Sequence, residues 1–398
     1  MSNKVRITIM HHTPAVIIGL DSLPGIQLAR ILAWQGVPVI ALARRPAHYC
    51  CRTNVCRQVH VVDTQTAAFV DLLLDLAPTL PEKAILFPCT DMSVWHLAQQ
   101  RHRLAGHYHL PLPPTAVIEQ LLDKAAFYTY AQEQGLPIPH TRLLTNRREA
   151  ERAAQTLTFP CVLKPPQRTP LWTTNTDQKG FRLDSPTALL AAYDRCAGWA
   201  NPLIVQEWVL GPESNLYSFN GYFNRTGAPL VTFIARKLRQ WLPQTGSSCL
   251  GEECRNDTVL TTALRLFTAL PYHGFAYLEM KQDARTGHHF IMEANIGRPT
   301  VRSPIAENGG VALHYTAYCD VAGAPLPVNR QQRYQGAKWV HLHYDTRAAW
   351  RQWRSGALTL TDWLRSLRGI RRDALFSWRD PLPFCWDLIQ SCQRHIRN

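Results

Sequence analysis

No run of this chain approaches the roughly eighteen consecutive apolar residues that a membrane-spanning helix needs. Met1 to Met10 carry two basic groups but no apolar core of signal-peptide length. Neither a leader nor a transmembrane helix is therefore expected. The eleven cysteines contain no Cys-x-x-Cys pair, and Cys50-Cys51 with Cys56 lacks zinc spacing. This reads as the reduced thiol set of a cytoplasmic protein. Sixteen histidines include no His-Glu-x-x-His pattern, which argues against a histidine metal site. Gly19 and Gly25 do not complete a Gly-x-Gly-x-x-Gly fingerprint, so a dinucleotide site is not indicated. Acidic residues are scarce, 29 Asp and Glu against 43 Lys and Arg, for a formal charge of +14. That surplus points to anionic partners: a nucleotide, an acidic small molecule, nucleic acid or a lipid surface. No RNA-binding signature is present, so nucleic acid is not expected as a partner.

What is present suits a globular protein of two or three domains: 398 residues, 46% of them hydrophobic. Ala15–Leu20, Val37–Leu42, Val59–Val62 and Ala84–Phe87 read as short buried strands alternating with helices, hence a parallel doubly wound sheet. Asp91 either lines a crevice at a strand's carboxyl end or caps the next helix. The proline-rich stretch Pro111 to Thr115 marks a domain boundary. A helix opened by Lys124 is stopped by Gly135 and Pro137. Phe159 to Lys164 is a strand ending in lysine, and Ser185-Pro186 opens a helix to about Cys196. Leu203–Val209 is a strand running into Gly211-Pro212-Glu213. Asn215–Phe223 and Pro229–Ala235 form a hairpin, and Asp257–Leu270 a helix.

The most informative stretch is Gly274 to Asn295, two alternating strands about a turn at Ala284–Gly287. With the turn centred on Thr286, Glu279 and Glu293 oppose each other and Asn295 shares their face. Like charges across a ladder repel, and a divalent cation reverses that term. These oxygens suit Mg2+ on phosphates rather than zinc. An ordinary solvated hairpin face is the competing reading of the same residues.

A lysine opening a helix, a lysine ending a strand, a Gln-Glu-Trp-Val stretch running into Gly-Pro-Glu, and Glu with Glu-x-Asn on a hairpin occur here in that order. The ordered set resembles the ATP-grasp superfamily over about residues 15 to 325, closest to carboxylate–amine ligases related to D-aspartate ligase and the carbamoyl-phosphate synthetase large chain. The resemblance implies an α/β protein with a Rossmann-like pre-ATP-grasp domain over 1–114. A two-lobed α+β ATP-grasp domain would follow over 115–326, with the smaller lobe at about 140–205 and the central lobe at about 206–326. It implies that Lys124 and Lys164 bind ATP phosphates. The Gln206, Glu207, Trp208, Val209 segment would meet adenine, with Gln206 at its exocyclic amine, and Glu213 would meet ribose. Mg2+, with Mn2+ as a substitute, would sit on Glu279, Glu293 and Asn295. Arg298 and Arg302 would neutralise the transferring phosphoryl or hold a substrate carboxylate. Arg236 and Lys237 point opposite ways on a strand, so at most one faces the cleft, and Lys237 is taken as that one. Gly246–Ser248 is expected as a mobile loop near the acyl acceptor. The family closes a glycine-rich loop over the phosphates, whereas 165–180 has one glycine, Gly180. Thr173, Thr174 and Thr176 would substitute hydroxyls for backbone amides, Lys179 would add charge, and the loop would be less compact or ordered only by nucleotide.

The implied activity joins a small-molecule carboxylate to an amine through an acyl phosphate. The alternatives are a nucleotide-binding module without turnover and a carboxylate kinase whose product passes elsewhere. Beyond the resemblance, 327–398 is a helical extension. Its residues 331–398 hold 12 Lys and Arg against 5 Asp and Glu, with six of the twelve tryptophans. Asp345 and Thr361 are expected to cap short helices, and Pro383–Arg397 to form an amphipathic one. Such composition suits an anionic membrane surface or lipid-linked substrate, placing the protein in the cytoplasm, at the membrane's inner face. The competing reading is a helical cap packing its tryptophans on the body. A homo-oligomer is compatible with either.

Overall fold

A computed structural model describes residues 12–242 and 246–397; Met1–Met10, on which the leader expectation rests, lie outside the described residues. Among the described residues no helix is long and apolar enough to cross a membrane. The chain forms two compact units.

The first unit joins the chain up to Pro111 with His314–Val328 and the segment from Leu375 onward. Its sheet is wholly parallel, in the order β3-β2-β1-β4: β1 Ala15–Ile18, β2 Val39–Ala43, β3 Gln58–Val61 and β4 Ile85–Pro88. β1, β2 and β4 are buried along their length, as strands covered on both faces must be. The two early glycines have a packing role here. A Cβ at Gly25 would lie 2.3 Å from the Gly19 carbonyl oxygen, and Gly19 itself has φ +104°. Ser22 caps the helix Leu23–Ala33 by accepting from the Gly25 N–H. Thr90, not Asp91, caps the helix Asp91–Gln99, with Ser93 completing a capping box. The final helix, Leu382–Arg397, packs within this unit: the Arg52 guanidinium lies 4.5 Å over the Trp386 ring, and Gln390 donates to the Ala47 carbonyl. Just before it, buried Asp380 accepts from Arg30 at 2.9 Å.

The second unit spans Leu112–Leu313 and Asn329–Ala374 and holds two sheets. The smaller is antiparallel, in the order β5-β8-β6-β7: β5 Thr141–Leu144, β6 Cys161–Lys164, β7 Phe181–Leu183 and β8 Leu203–Glu207. The larger has seven strands, β13-β12-β9-β10-β11-β14-β15. These are β9 Leu216–Phe223, β10 Pro229–Trp241, β11 Ser247–Glu253, β12 Gly274–Gln282, β13 His289–Ile296, β14 Lys338–Val340 and β15 Ile370–Asp373.

Residues 329–374 thus supply two strands to this sheet, and buried acids hold them there. Glu253 accepts from the backbone N–H groups of Tyr334, Gln335 and Ala337. Asp345 is fully buried inside the helix Leu342–Arg354, accepting from Arg239 at 2.7 Å and from the Trp363 indole at 2.9 Å. It is therefore no cap, and the helix Leu360–Ser366 is capped by Thr359 rather than Thr361. The tryptophans divide. Trp339 is buried, whereas Trp350 and Trp353 stay 58% and 51% exposed, their rings 4.9 Å apart.

Candidate active site

Glu279 on β12 stands directly opposite Glu293 on β13, and Tyr277 opposite Asn295. The pairing depends on a bulge. Near the turn Gln282 pairs His289, Lys281 pairs Phe290 and Met280 pairs Ile291, but Glu279 then pairs Glu293, leaving Met292 as an extra residue. In the unbroken register Glu293 would face Leu278 and point to the other side of the sheet, since a one-residue slip inverts every side chain. A bulge beside a site re-aims a side chain in this way. Glu293 is exposed, Glu279 half-buried and Asn295 8% exposed.

Cations surround the acids. Lys237 on β10 is buried, with its Nζ 3.7 Å from Glu279 and 3.0 Å from the Gln240 Oε1. Arg236, pointing the other way, pairs with Glu252. Arg302 is buried and donates to the Ser248 hydroxyl at 2.6 Å, to the Tyr277 hydroxyl at 2.7 Å and to Glu279 at 3.4 Å. Arg298 donates to the Asn295 Oδ1 and to the Pro299 carbonyl. Ser247 and Ser248, expected in a loop, open strand β11, and Ser248 is fixed by Arg302.

Burial alone would raise the Glu279 carboxyl, but Lys237 and Arg302 together hold it below its ordinary value. Burial lowers Lys237, with Glu279 opposing and Arg302 adding to the effect. Burial raises Tyr277, which therefore keeps its proton. Two buried donors on this face, the Gln240 Nε2 and Arg302 Nε, have no hydrogen-bond partner among the described residues. Orphaned buried donors are costly. An anionic group on this face would give them acceptors.

On the smaller sheet Lys164 ends β6, its Nζ donating to the Tyr128 hydroxyl and the Gln206 Oε1, each at 3.1 Å. The Gln206 amide nitrogen donates to Thr141 at 2.8 Å, so both ends of that side chain are engaged within the protein. An ammonium has three protons, which leaves one on Lys164 for a ligand. Glu207 accepts from the Thr158 N–H, Trp208 donates its N–H to the Pro160 carbonyl, and Val209 is buried. Arg182 and Lys281 lie 5.6 and 5.9 Å from the centre of the Trp208 ring. Glu213 accepts from the Gln240 N–H at 3.0 Å. Lys124 is the first residue of the helix Lys124–Glu133, with no polar partner among the described residues. The structure draws Lys237, Arg302, Glu279, Glu293, Asn295 and Arg298 to one face, and Lys164 to Gln206, but does not tie Lys124 to either group.

The stretch 165–180 departs from expectation. It carries the helix Pro170–Asn175, anchored by a fully buried Trp172 whose indole donates to the Gln178 carbonyl. Thr173 and Thr174 donate their hydroxyls to carbonyls of this helix, and the Thr176 hydroxyl accepts from Gln178. An aromatic anchor, not a run of glycines, packs this segment against the small lobe. Lys179 is exposed.

Tyr277, Gln240, Tyr128 and Lys281 were not among the residues picked out in the sequence. Tyr277 and Lys281 lie two positions either side of Glu279, where strand periodicity could have found them. Tyr128 and Gln240 had no such signal.

No protein-family model matches the chain. D-aspartate ligase of Enterococcus faecium (strain Aus0004) is 24% identical over 244 residues, 57% of this chain and 57% of the relative. A D-alanine–D-alanine ligase of Ectopseudomonas mendocina (strain ymp) is 30% identical over 179 residues, 44% of this chain and 55% of the relative. The chain thus spans little more than half the length of these curated relatives. Among solved structures, the ADP complex of an N5-carboxyaminoimidazole ribonucleotide synthetase superposes with a TM-score of 0.65 at 17% identity, covering 86% of each chain. The MgADP-bound biotin carboxylase domain of the Hydrogenobacter thermophilus 2-oxoglutarate carboxylase gives 0.64 at 14% identity, over 82% of this chain and 74% of that one. The chain has the ATP-grasp fold of these solved structures, and the expected resemblance to D-aspartate ligase is found among its curated relatives.

Proposed function

We propose that this chain is an ATP-dependent ligase that forms an amide between a small-molecule carboxylate and an amine, giving ADP and phosphate. The observation that carries the reading is the single face on which Glu279, Glu293 and Asn295 meet Lys237, Arg298 and Arg302. Phosphoryl transfer asks a protein mainly for positioning and charge neutralisation. Lys164 would hold the nucleotide phosphates with its remaining proton. Lys237 and the Arg302 Nε, with the Gln240 amide, would take the transferring phosphoryl or the substrate carboxylate as acceptors. Glu213 and the Gln206–Val209 segment would meet ribose and adenine. Lys124 is assigned to the phosphates on resemblance alone, and exposed Lys179 for the charge it adds to a loop that departs from the family's glycine-rich pattern. Glu279, Glu293 and Asn295 would hold Mg2+ or Mn2+. Two carboxylates and one neutral oxygen suit a hard cation that completes its shell with water and phosphate, and among the described residues no cage of three His, Cys, Asp or Glu competes. When bound, the cation would spread phosphate charge.

The curated relatives are named as ligases, which favours turnover over a binding module without it. With the correct acid, ATP and hydroxylamine, the full chain is expected to give ADP and a hydroxamate. A broad panel of acids yielding neither, from protein that binds ATP, would support the binding-module alternative.

A second reading concerns partners and place. The exposed Trp350 and Trp353, with exposed Leu360 and Leu364 nearby in sequence and Arg351, Arg354, Arg365 and Arg368 among them, supports contact with an anionic lipid surface or lipid-linked substrate at the inner face of the membrane. A cytoplasmic homo-oligomer stays part of the proposal.

A further inference from the structure

We infer that Tyr128 is a positioning residue that ties Lys164 to the bulge aiming Glu293, so that one hydroxyl sets both groups. The inference rests on the nucleotide-and-metal reading above and deepens it. Tyr128 lies on the helix Lys124–Glu133 and is 2% exposed. Its hydroxyl accepts from the Lys164 Nζ at 3.1 Å, and lies 3.2 Å from the Met292 carbonyl and 3.4 Å from the Gln206 Oε1. A phenol has one proton to donate. The shorter distance gives it to Met292, while Gln206 is served by Lys164 at 3.1 Å.

Met292 is the extra residue of the bulge. An extra residue leaves the ladder locally broken, and a half-buried carbonyl there calls for a donor. Tyr128 supplies it, while the neighbouring Ile291 N–H is held by the Pro137 carbonyl at 2.7 Å. The bulge decides which face Glu293 occupies. The chain of contacts therefore runs from Lys164 on the smaller sheet, through one oxygen, to the backbone that presents Glu293 on the larger sheet. Substitution of Tyr128 would loosen the lysine and the acid together, although the tyrosine has no assigned contact with a ligand.

Tyr128→Phe removes the hydroxyl and keeps the ring. ADP affinity is read by calorimetry over a magnesium series for the full chain, Tyr128→Phe, Glu293→Gln and the double variant, each first checked for an unchanged melting profile without nucleotide. Tyr128→Phe is expected to weaken ADP by about tenfold and to raise the magnesium needed for half-maximal tightening. The double variant is expected to lose less than the product of the two single losses, as coupled residues do. Equal affinity and magnesium dependence in Tyr128→Phe would overturn the inference, as would multiplicative losses in the double variant. No ADP binding by the unaltered chain would instead overturn the underlying nucleotide reading. Should Tyr128→Phe not fold, 3,5-difluorotyrosine at 128 keeps the shape but makes the phenol acidic enough to ionise, so that the oxygen has no proton to give the Met292 carbonyl. The magnesium needed for half-maximal tightening of ADP should then rise as pH is raised through that ionisation, and a requirement equal to that of the unaltered chain across the series would again overturn the inference.

Discussion

Burial would push the Glu279 carboxyl up, yet Lys237 and Arg302 hold it down, and the stability of the site should follow. An unfolded glutamate titrates near 4.5. Between that value and the lower folded one, the unfolded chain binds more protons, so stability rises with pH there. The contribution is complete above 4.5 and is lost as pH falls through the folded value. Glu279→Gln should flatten the acid limb of a urea-denaturation series as pH falls below 4.5; an unchanged limb would contradict the ion-pair account. Glu293 differs, being exposed without an ion pair among those the structure shows. Glu293→Gln should leave melting nearly unchanged while turnover falls more than about a hundredfold, beyond the loss usual for groups that merely support a metal ligand. Undiminished turnover would remove Glu293 from the site. At this scale the sequence was legible for the acids and for Lys237, whose positions follow from strand alternation. Tyr128 and Gln240 were not, because they act through contacts made far along the chain.

The elements show what periodicity can and cannot reach. The alternation over Gly274–Asn295 announced a hairpin, and the pairing of Glu279 with Glu293 followed from a turn centred on Thr286. The observed turn lies half a residue earlier, and the Met292 bulge restores the register. Two departures cancel, and no composition rule foretells a bulge at a methionine. The segment 165–180 was read for its missing glycines, whereas its order comes from Trp172 packing against Phe181 and Trp199. Trp172→Ala should cost about 3–5 kcal/mol by removing a fully buried indole, seen as a lower urea midpoint and faster proteolysis near Asn175. A midpoint equal to that of the unaltered chain would show that the helix does not depend on this anchor.

Across the whole molecule, the parallel sheet of the first unit and two hairpins of the seven-stranded sheet followed from strand patterning, but the division of the tail did not. Residues 329–374 belong to the second unit and those from Leu375 to the first, through ties such as Arg239 to Asp345 and Arg30 to Asp380. A local reading of basic and aromatic residues has no access to partners a hundred or more positions away. The exposed Trp350 and Trp353 keep the anionic-surface reading testable. Binding to anionic vesicles should fade as salt shortens the Debye length from about 10 Å at 0.1 M to about 3 Å at 1 M, and absence of sedimentation at low salt would end that reading. The central claim is that ATP is held by Lys164 on the smaller sheet and meets a divalent cation on the face of the larger sheet that carries Lys237, Glu279 and Glu293. Calorimetric titration of ATP with magnesium into the full chain and into Lys164→Ala tests it most directly. The account predicts binding by the full chain and a loss of about tenfold in the variant; no binding by the full chain, or equal affinity in the two, would contradict it.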